Sequence, residues 1–174
     1  EVKEGKNGCV IINDSYNSDL ASLDIALDFM SRRSEDKGKK RTLILSDMLE
    51  TGQSSKLLYR QVAELVHSRG VEKIIGVGDE IRTASSRFEL EKYFFHSTED
   101  LLKSDLLPNL RNEVVLIKGS RSFHFDDISE RLELKVHETI LEIKLNALVD
   151  NLNYYRSKLK PETKMVCMVK ASAY

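Results

Sequence analysis

Val114-Val115-Leu116-Ile117 runs directly into Lys118-Gly119-Ser120-Arg121-Ser122. Four apolar residues, most of them β-branched, are too few for a helix and suit a strand buried on both faces. The polar, glycine-containing run behind it then falls at the carboxyl end of that strand, where open parallel sheets gather their ligands. Working outward, the same pattern recurs at Cys9-Val10-Ile11-Ile12, Thr42-Leu43-Ile44-Leu45, Lys73-Ile74-Ile75-Gly76-Val77 and Tyr93-Phe94-Phe95. Between these runs, Leu23, Ala26, Leu27 and Met30 recur at helical spacing, as do Leu58, Val62, Leu65 and Val66. Ser97 followed by Asp100 marks a capped helix through Leu101 and Leu102, and a last helix is expected from about Phe125 to Leu132. Strands alternating with helices predict five βα units in a doubly wound, mostly parallel α/β sheet.

The charged stretch Arg32 to Arg41 reads as a solvated loop. After residue 133 the pattern restarts. Thr139-Ile140-Leu141-Glu142-Ile143 alternates like a strand, Leu145, Leu148, Leu152, Tyr155 and Leu159 mark one helix face, and Met165-Val166-Cys167-Met168-Val169 suits another buried strand. The expected organisation is therefore a main domain over 1–133, a linker over 134–137 and a separate β-α-β extension over 138–174. A chain that opens at Glu1 without methionine and stops at Tyr174, just past a strand-like run, is expected to be a fragment of something longer.

Composition narrows the function classes. Lys+Arg 27 against Asp+Glu 28 leaves no basic field for nucleic acid or an acidic membrane surface. No apolar stretch approaches the ~20 residues that span a bilayer, and the polar N-terminus is unlike a signal peptide. Cys9 and Cys167 both sit in apolar runs, so a reduced, cytoplasmic chain is the simplest expectation. His67, His96, His124 and His137 show no metal-ligand spacing with one another or with cysteine.

Four strand-end segments hold the chemistry: Asn13-Asp14-Ser15-Tyr16-Asn17-Ser18-Asp19, Ser46-Asp47-Met48-Leu49-Glu50-Thr51-Gly52, Gly76-Val77-Gly78-Asp79 and Lys118-Gly119-Ser120-Arg121-Ser122. By residue type alone the first is equally a turn and helix N-cap, and Asp47 and Glu50 equally surface ion-pairing groups. Gly76-Val77-Gly78 lacks a full Gly-x-Gly-x-x-Gly and reads as a tight turn.

In order and position, however, the first, second and fourth segments resemble the C-terminal domain of the Mur ligases, the ATP-dependent amide-forming enzymes of peptidoglycan synthesis, over about residues 1 to 131. The likeness is greatest to the branch that adds D-alanyl-D-alanine. Their patterns are Asp/Asn-Asp-Ser-Tyr-Asn-Ala-Asn, Gly-Asp-Met-x-Glu-Leu-Gly and Lys-Gly-Ser-Arg. This chain departs from them with Ser18 for alanine, Asp19 for asparagine, Leu20 for proline, Ser46 for glycine, and Tyr59 where histidine is frequent. The resemblance implies a Rossmann-like domain and a reaction in which ATP activates the carboxylate of UDP-N-acetylmuramoyl-tripeptide for attack by D-Ala-D-Ala. It implies Asp14 and Asn17 at the nucleotide, and Lys118, Gly119, Ser120 and Arg121 at the incoming carboxylate or the phosphate charge, with Asp47 and Glu50 as weaker members. ATP and Mg2+ would serve the complete ligase. Since no Gly-x-x-x-x-Gly-Lys-Ser/Thr loop occurs here, the N-terminal and central ligase domains are implied as partners, and this portion alone is expected to be inactive.

The end of the chain, with Thr139 to Leu148, Asn151-Leu152 and Met168-Val169-Lys170-Ala171-Ser172-Ala173-Tyr174, is similar to the opening of fold-type III alanine racemases, whose signature is Val-Lys-Ala-x-Ala-Tyr-Gly. That likeness implies Lys170 as the lysine that binds pyridoxal phosphate in a complete barrel, with no cofactor expected on this portion alone. Two other classes compete: a receiver-type phospho-acceptor domain, invited by Asp14, Asp47 and Lys118, and a plain nucleotide-binding α/β module. Against the receiver, its acceptor aspartate should follow the third strand, whereas Asp47 follows the second.

Overall fold

A computed structural model of the chain describes residues 1–35, 38–49, 52–134 and 143–168. It divides into two compact units, Glu1–Lys135 and Val136–Tyr174. The first holds a six-stranded sheet built from β1 (Val2–Glu4), β2 (Val10–Asp14), β3 (Lys40–Ser46), β4 (Lys73–Val77), β5 (Glu91–Phe95) and β6 (Glu113–Lys118). Their order is β1-β2-β6-β3-β4-β5, parallel throughout except for β1, which pairs antiparallel with β2. The expected α/β class and all five expected strands are present. β1 is additional: three residues with no apolar run of their own become a strand because β2 offers an open edge.

Alternation along the strands sends each side chain to one of two cores. Val10, Ile12, Leu43, Leu45, Ile74 and Leu116 meet helices α1 (Leu20–Glu35) and α2 (Ser55–Ser68) and the short α3 (Asp79–Thr83) through Leu23, Leu27, Met30, Tyr59, Val62, Val66 and Ile81. On the other face Ile11, Ile44, Ile75, Val115 and Ile117 meet α4 (Thr98–Lys103) and α5 (Asp126–Leu132) through Leu101, Phe125 and Ile128. Both faces are covered, which is why these strands read as unbroken apolar runs.

The caps follow local chemistry. Asp19 Oδ1 accepts the Ser22 N–H at 2.9 Å and starts α1, and Ser97 Oγ accepts the Asp100 N–H at 3.2 Å and starts α4. Among its described residues, the run Arg32–Arg41, expected as a loop, is mostly regular structure. Arg32 and Arg33 lie in the last turn of α1, where Arg32 pairs with Asp28 at 2.8 Å, and Lys40 and Arg41 open β3. Charge alone does not end a helix when the residues carrying it are good helix formers.

In the second unit α6 (Leu145–Ser157) forms where the apolar stripe predicts it. The strand expected over Met165–Val169 does not: residues 165–168 carry no strand, and Val166 and Met168 are exposed. A strand needs a neighbouring ladder for its N–H and C=O groups, and an apolar run alone does not supply one. Of the other expected strand, residues 139–142 lie outside the described residues. No described helix is long and apolar enough to cross a membrane.

Candidate functional site

β2 and β6 are neighbours, yet the chain leaves β2 for α1 on one face of the sheet and leaves β6 for α5 on the other. Their outgoing loops diverge and leave a crevice at the carboxyl ends, the place where open α/β sheets take ligands. An open cleft of about 450 Å³ lies there, lined by Tyr16, Asn17, Ser18, Asp19, Leu49 and the Ser120-Arg121-Ser122 turn.

The β2 loop is shaped by its own polar side chains. Asn13 Oδ1 accepts the Ser15 N–H at 3.2 Å and the Ser15 hydroxyl at 2.6 Å, while Asn13 Nδ2 reaches Asp126 at 3.3 Å. This turn leaves Asp14 about half exposed and Tyr16 largely exposed at the rim. Asp14 and Lys118 are register partners on adjacent strands, and Lys118 Nζ lies 2.8 Å from Asp14 Oδ2. The same ammonium donates to the Asn17 carbonyl. With 1% of its side chain exposed, Lys118 spends its charge on the loop after β2 rather than presenting it to the cleft, contrary to the expectation that it would face a ligand.

Gly119 has no room for a side chain, since a Cβ there would sit 2.6 Å from the Phe125 ring. This close approach turns the chain into Ser120-Arg121-Ser122. The Ser120 N–H donates to Ser46 Oγ at 3.0 Å, Ser120 Oγ and Ser122 Oγ lie 2.9 Å apart, and the Arg121 guanidinium stands 6.0 Å from the centre of the Tyr16 ring. A cation over an aromatic face, both open to solvent, makes a rim suited to an anionic, partly planar ligand. The Ser22 N–H, with Lys118 contributing more weakly, holds the Asp19 carboxyl below its ordinary value of 3.8. Asp19 is therefore a charged cap throughout the neutral range. Ser18 Oγ, beneath the rim, is buried without a hydrogen-bond partner among the described residues.

Asp47 has a different setting. It is 6% exposed, and its carboxylate accepts the Tyr59 hydroxyl at 3.2 Å, the Ile81 N–H at 2.8 Å and the Glu80 N–H at 3.2 Å. Burial, with the Asp47 charge beside it, drives the Tyr59 phenol far above its usual range, so Tyr59 stays a donor. A buried aspartate with three donors is poorly presented to a phosphodonor, which weighs against the receiver comparison. Gly78, whose φ is +126°, makes the turn expected at Gly76-Val77-Gly78 and leaves space that Asp47 fills.

Of the expected site residues, Asn17, Ser120 and Arg121 line the cleft, Asp14 stands half-exposed beside Lys118, Lys118 and Gly119 lie behind the rim, and Asp47 is buried toward α3. Glu50 and Lys170 lie outside the described residues. Tyr16, Leu49 and Ser122 also line the cleft, although the strand-end motifs assign them no role. Tyr16, an aromatic in an otherwise polar turn, carried a usable signal; nothing local distinguishes Ser122 or Leu49.

The family model described as "Mur ligase, glutamate ligase domain" matches residues 1–121. A UDP-N-acetylmuramoyl-tripeptide--D-alanyl-D-alanine ligase of Buchnera aphidicola (subsp. Baizongia pistaciae) is 27% identical over 135 residues, covering 74% of this chain and 27% of its own length. The enzyme of the same name from Escherichia coli (strain K12) is 25% identical over 125 residues, covering 71% of this chain and again 27% of its own length. Among solved structures, a MurF ligase from Thermotoga maritima in complex with ADP superposes with a TM-score of 0.59 at 20% identity, covering 75% of this chain and 29% of that one. The chain therefore spans somewhat over a quarter of the length of these relatives.

Proposed function

The chain belongs to the Mur ligase family, and from that premise we propose that residues 1–133 are the C-terminal domain of the ligase that joins D-Ala-D-Ala to UDP-N-acetylmuramoyl-tripeptide at the expense of ATP. The observation that carries the reading is that Asn17 and Arg121, widely separated in sequence, line one open cleft at the β2–β6 crevice, with Asp14 tied to the Asn17 loop through the Lys118 ammonium. Asp14 offers a half-exposed carboxylate to ribose hydroxyls, and Asn17 lies beside it for the base or ribose. Arg121, with the Ser120 and Ser122 hydroxyls, offers bidentate donors to the terminal carboxylate of the incoming dipeptide or to the phosphate charge that develops as the acyl phosphate is attacked. Lys118 and Gly119 act from behind, the first by fixing Asp14 and the Asn17 carbonyl, the second by allowing the turn.

The remaining machinery belongs to other domains in this reading. The nucleotide phosphates require a loop this chain lacks, so closure of a central domain over the cleft completes the site, and the portion by itself is inactive. Mg2+ would arrive with ATP; among the described residues no group of three His, Cys, Asp or Glu offers it a site. A donor carrying UDP and a cosubstrate ATP belong in the cytoplasm.

We further read the tail over 138–174, past a linker at 134–137, as the start of a PLP-dependent alanine racemase in the same polypeptide, on the strength of Val169-Lys170-Ala171-Ser172-Ala173-Tyr174. Pyridoxal phosphate bound to Lys170 would supply the acidity of the alanine α-proton once the barrel is complete.

Assay of the complete polypeptide tests both readings. ATP-dependent addition of D-Ala-D-Ala should fall by about 100-fold or more in Asp14→Ala and in Arg121→Ala with the domain still folded, and normal turnover in both would remove the assignment. Alanine racemisation abolished by Lys170→Ala is expected; a polypeptide without racemase activity would remove the second reading and leave the first standing.

A further inference from the structure

The Ser120-Arg121 rim is not anchored by its own strand alone. Ser46 closes β3, the strand next to β6, with its side chain wholly buried. Its hydroxyl accepts the Ser120 N–H at 3.0 Å and donates to the Asp47 carbonyl at 2.9 Å, so both its capacities as donor and acceptor are directed. Asp47 in turn is held by Tyr59 and by the first amides of α3. A rigid chain of hydrogen bonds thus runs from α2 and α3, through the end of β3, into the turn that carries Arg121. Ser46 is the only described side chain whose hydrogen bond reaches the backbone of that turn from another strand, and it stands at one of the positions where the chain departs from the family pattern.

We propose that Ser46 is a positioning residue for amine-substrate binding: its buried hydroxyl fixes the Ser120 amide and thereby sets Arg121 where the substrate carboxylate docks. The inference rests on the ligase reading above and gives the second strand-end segment a role that needs no contact with ligand. Loss of the hydroxyl leaves the sheet intact and frees the turn, so binding of the amine should weaken without equal damage to the chemical step.

The test pairs two measurements. In the 174-residue chain, amide hydrogen exchange at Ser120 should accelerate by about tenfold in Ser46→Ala, with Leu45 and Ile117 unchanged. In the complete ligase the same substitution should raise KM for D-Ala-D-Ala by about tenfold with kcat within about twofold. Ser46→Thr, which keeps the hydroxyl, should restore both readings. Ser46→Cys, which fills the site with a weak acceptor, should behave like alanine and covers the case in which the smaller side chain impairs folding. Unchanged Ser120 exchange would overturn the proposal, and so would faster exchange with an unaltered KM in an active enzyme. A complete wild-type enzyme inactive toward D-Ala-D-Ala would instead bring down the ligase reading, and this inference with it, while the exchange data would still report the bond.

Discussion

Lys118, almost wholly buried at the end of β6, places its ammonium 2.8 Å from the half-exposed carboxylate of Asp14 at the end of β2. The pair is asymmetric. Asp14→Ala leaves a buried ammonium with the Asn17 carbonyl as its hydrogen-bond partner and the more distant charge of Asp19, whereas Lys118→Met leaves a carboxylate that water can reach. Removing one partner of a fully buried pair costs roughly 3–5 kcal/mol, and the exposure of Asp14 lowers that to about 1–2 kcal/mol for Asp14→Ala. Lys118→Met should cost less. Urea unfolding of the two variants decides the matter, and a greater loss in Lys118→Met would contradict the asymmetry.

A second ion pair lies at the opposite end of the sheet. Glu113 and Lys73 meet at 2.7 Å with both side chains under a tenth exposed, and the Thr42 hydroxyl also donates to Glu113. Glu113→Ala should destabilise by about 3 kcal/mol, the low end of the range because Lys73 retains Glu91 at 3.5 Å. The double variant Lys73→Met, Glu113→Leu should recover most of that loss in urea midpoint. Equal losses in single and double variants would show that packing, not the unpaired charge, sets the cost.

Gly78 tests the turn that Asp47 fills. An added Cβ would stand 2.3 Å from Asp47 Cγ, at a φ of +126° that other residues rarely adopt. Gly78→Ala should therefore cost about 3 kcal/mol or more. Gly52→Ala, at φ +67° with open space around it, should cost about 1 kcal/mol. Thermal unfolding compares them, and similar melting temperatures would show that the backbone relaxes around the contact.

Stability should be flat across neutral pH and fall at both ends. Hydrogen bonds from Ser22 to Asp19 and from Lys40 to Glu91 hold those carboxyls below their ordinary values of 3.8 and 4.5. Their contribution is present above those values and is lost as pH falls through the lower folded ones. Lys3 and Lys40, raised above 10.5 chiefly by Glu133 and Glu91, contribute below that value, and the contribution is lost as pH rises through the folded one. Urea midpoints measured from acid to alkali should trace this plateau. Asp19→Asn should make the acid limb shallower, and an unchanged limb would mean that Ser22 does not favour the charged form.

Much of this molecule was legible one window at a time. Runs such as Leu43-Ile44-Leu45 announce a strand because both their faces are buried, and Ser97 with Asp100 announces a cap because the bond is local. β1 was not legible, since Val2-Lys3-Glu4 becomes a strand only against β2, and neither was α3, whose five residues are too few to show a stripe. The strand expected at Met165–Val169 shows the reverse: residues 165–168, an apolar run of suitable composition, carry no strand.

By itself the amino-acid order determined the alternation of strands and helices, the polar segments at the strand ends and the family they resemble, all properties of short neighbouring stretches. Tertiary structure alone decided that β6 inserts between β2 and β3. That insertion makes Asp14 and Lys118 register partners, brings Arg121 to Tyr16 and sets Ser46 beneath Ser120, while α2 and α3 hold Asp47 inward. Pairing between strands a hundred residues apart is fixed by the ladder and the two packed faces together, and no single stretch of sequence contains either.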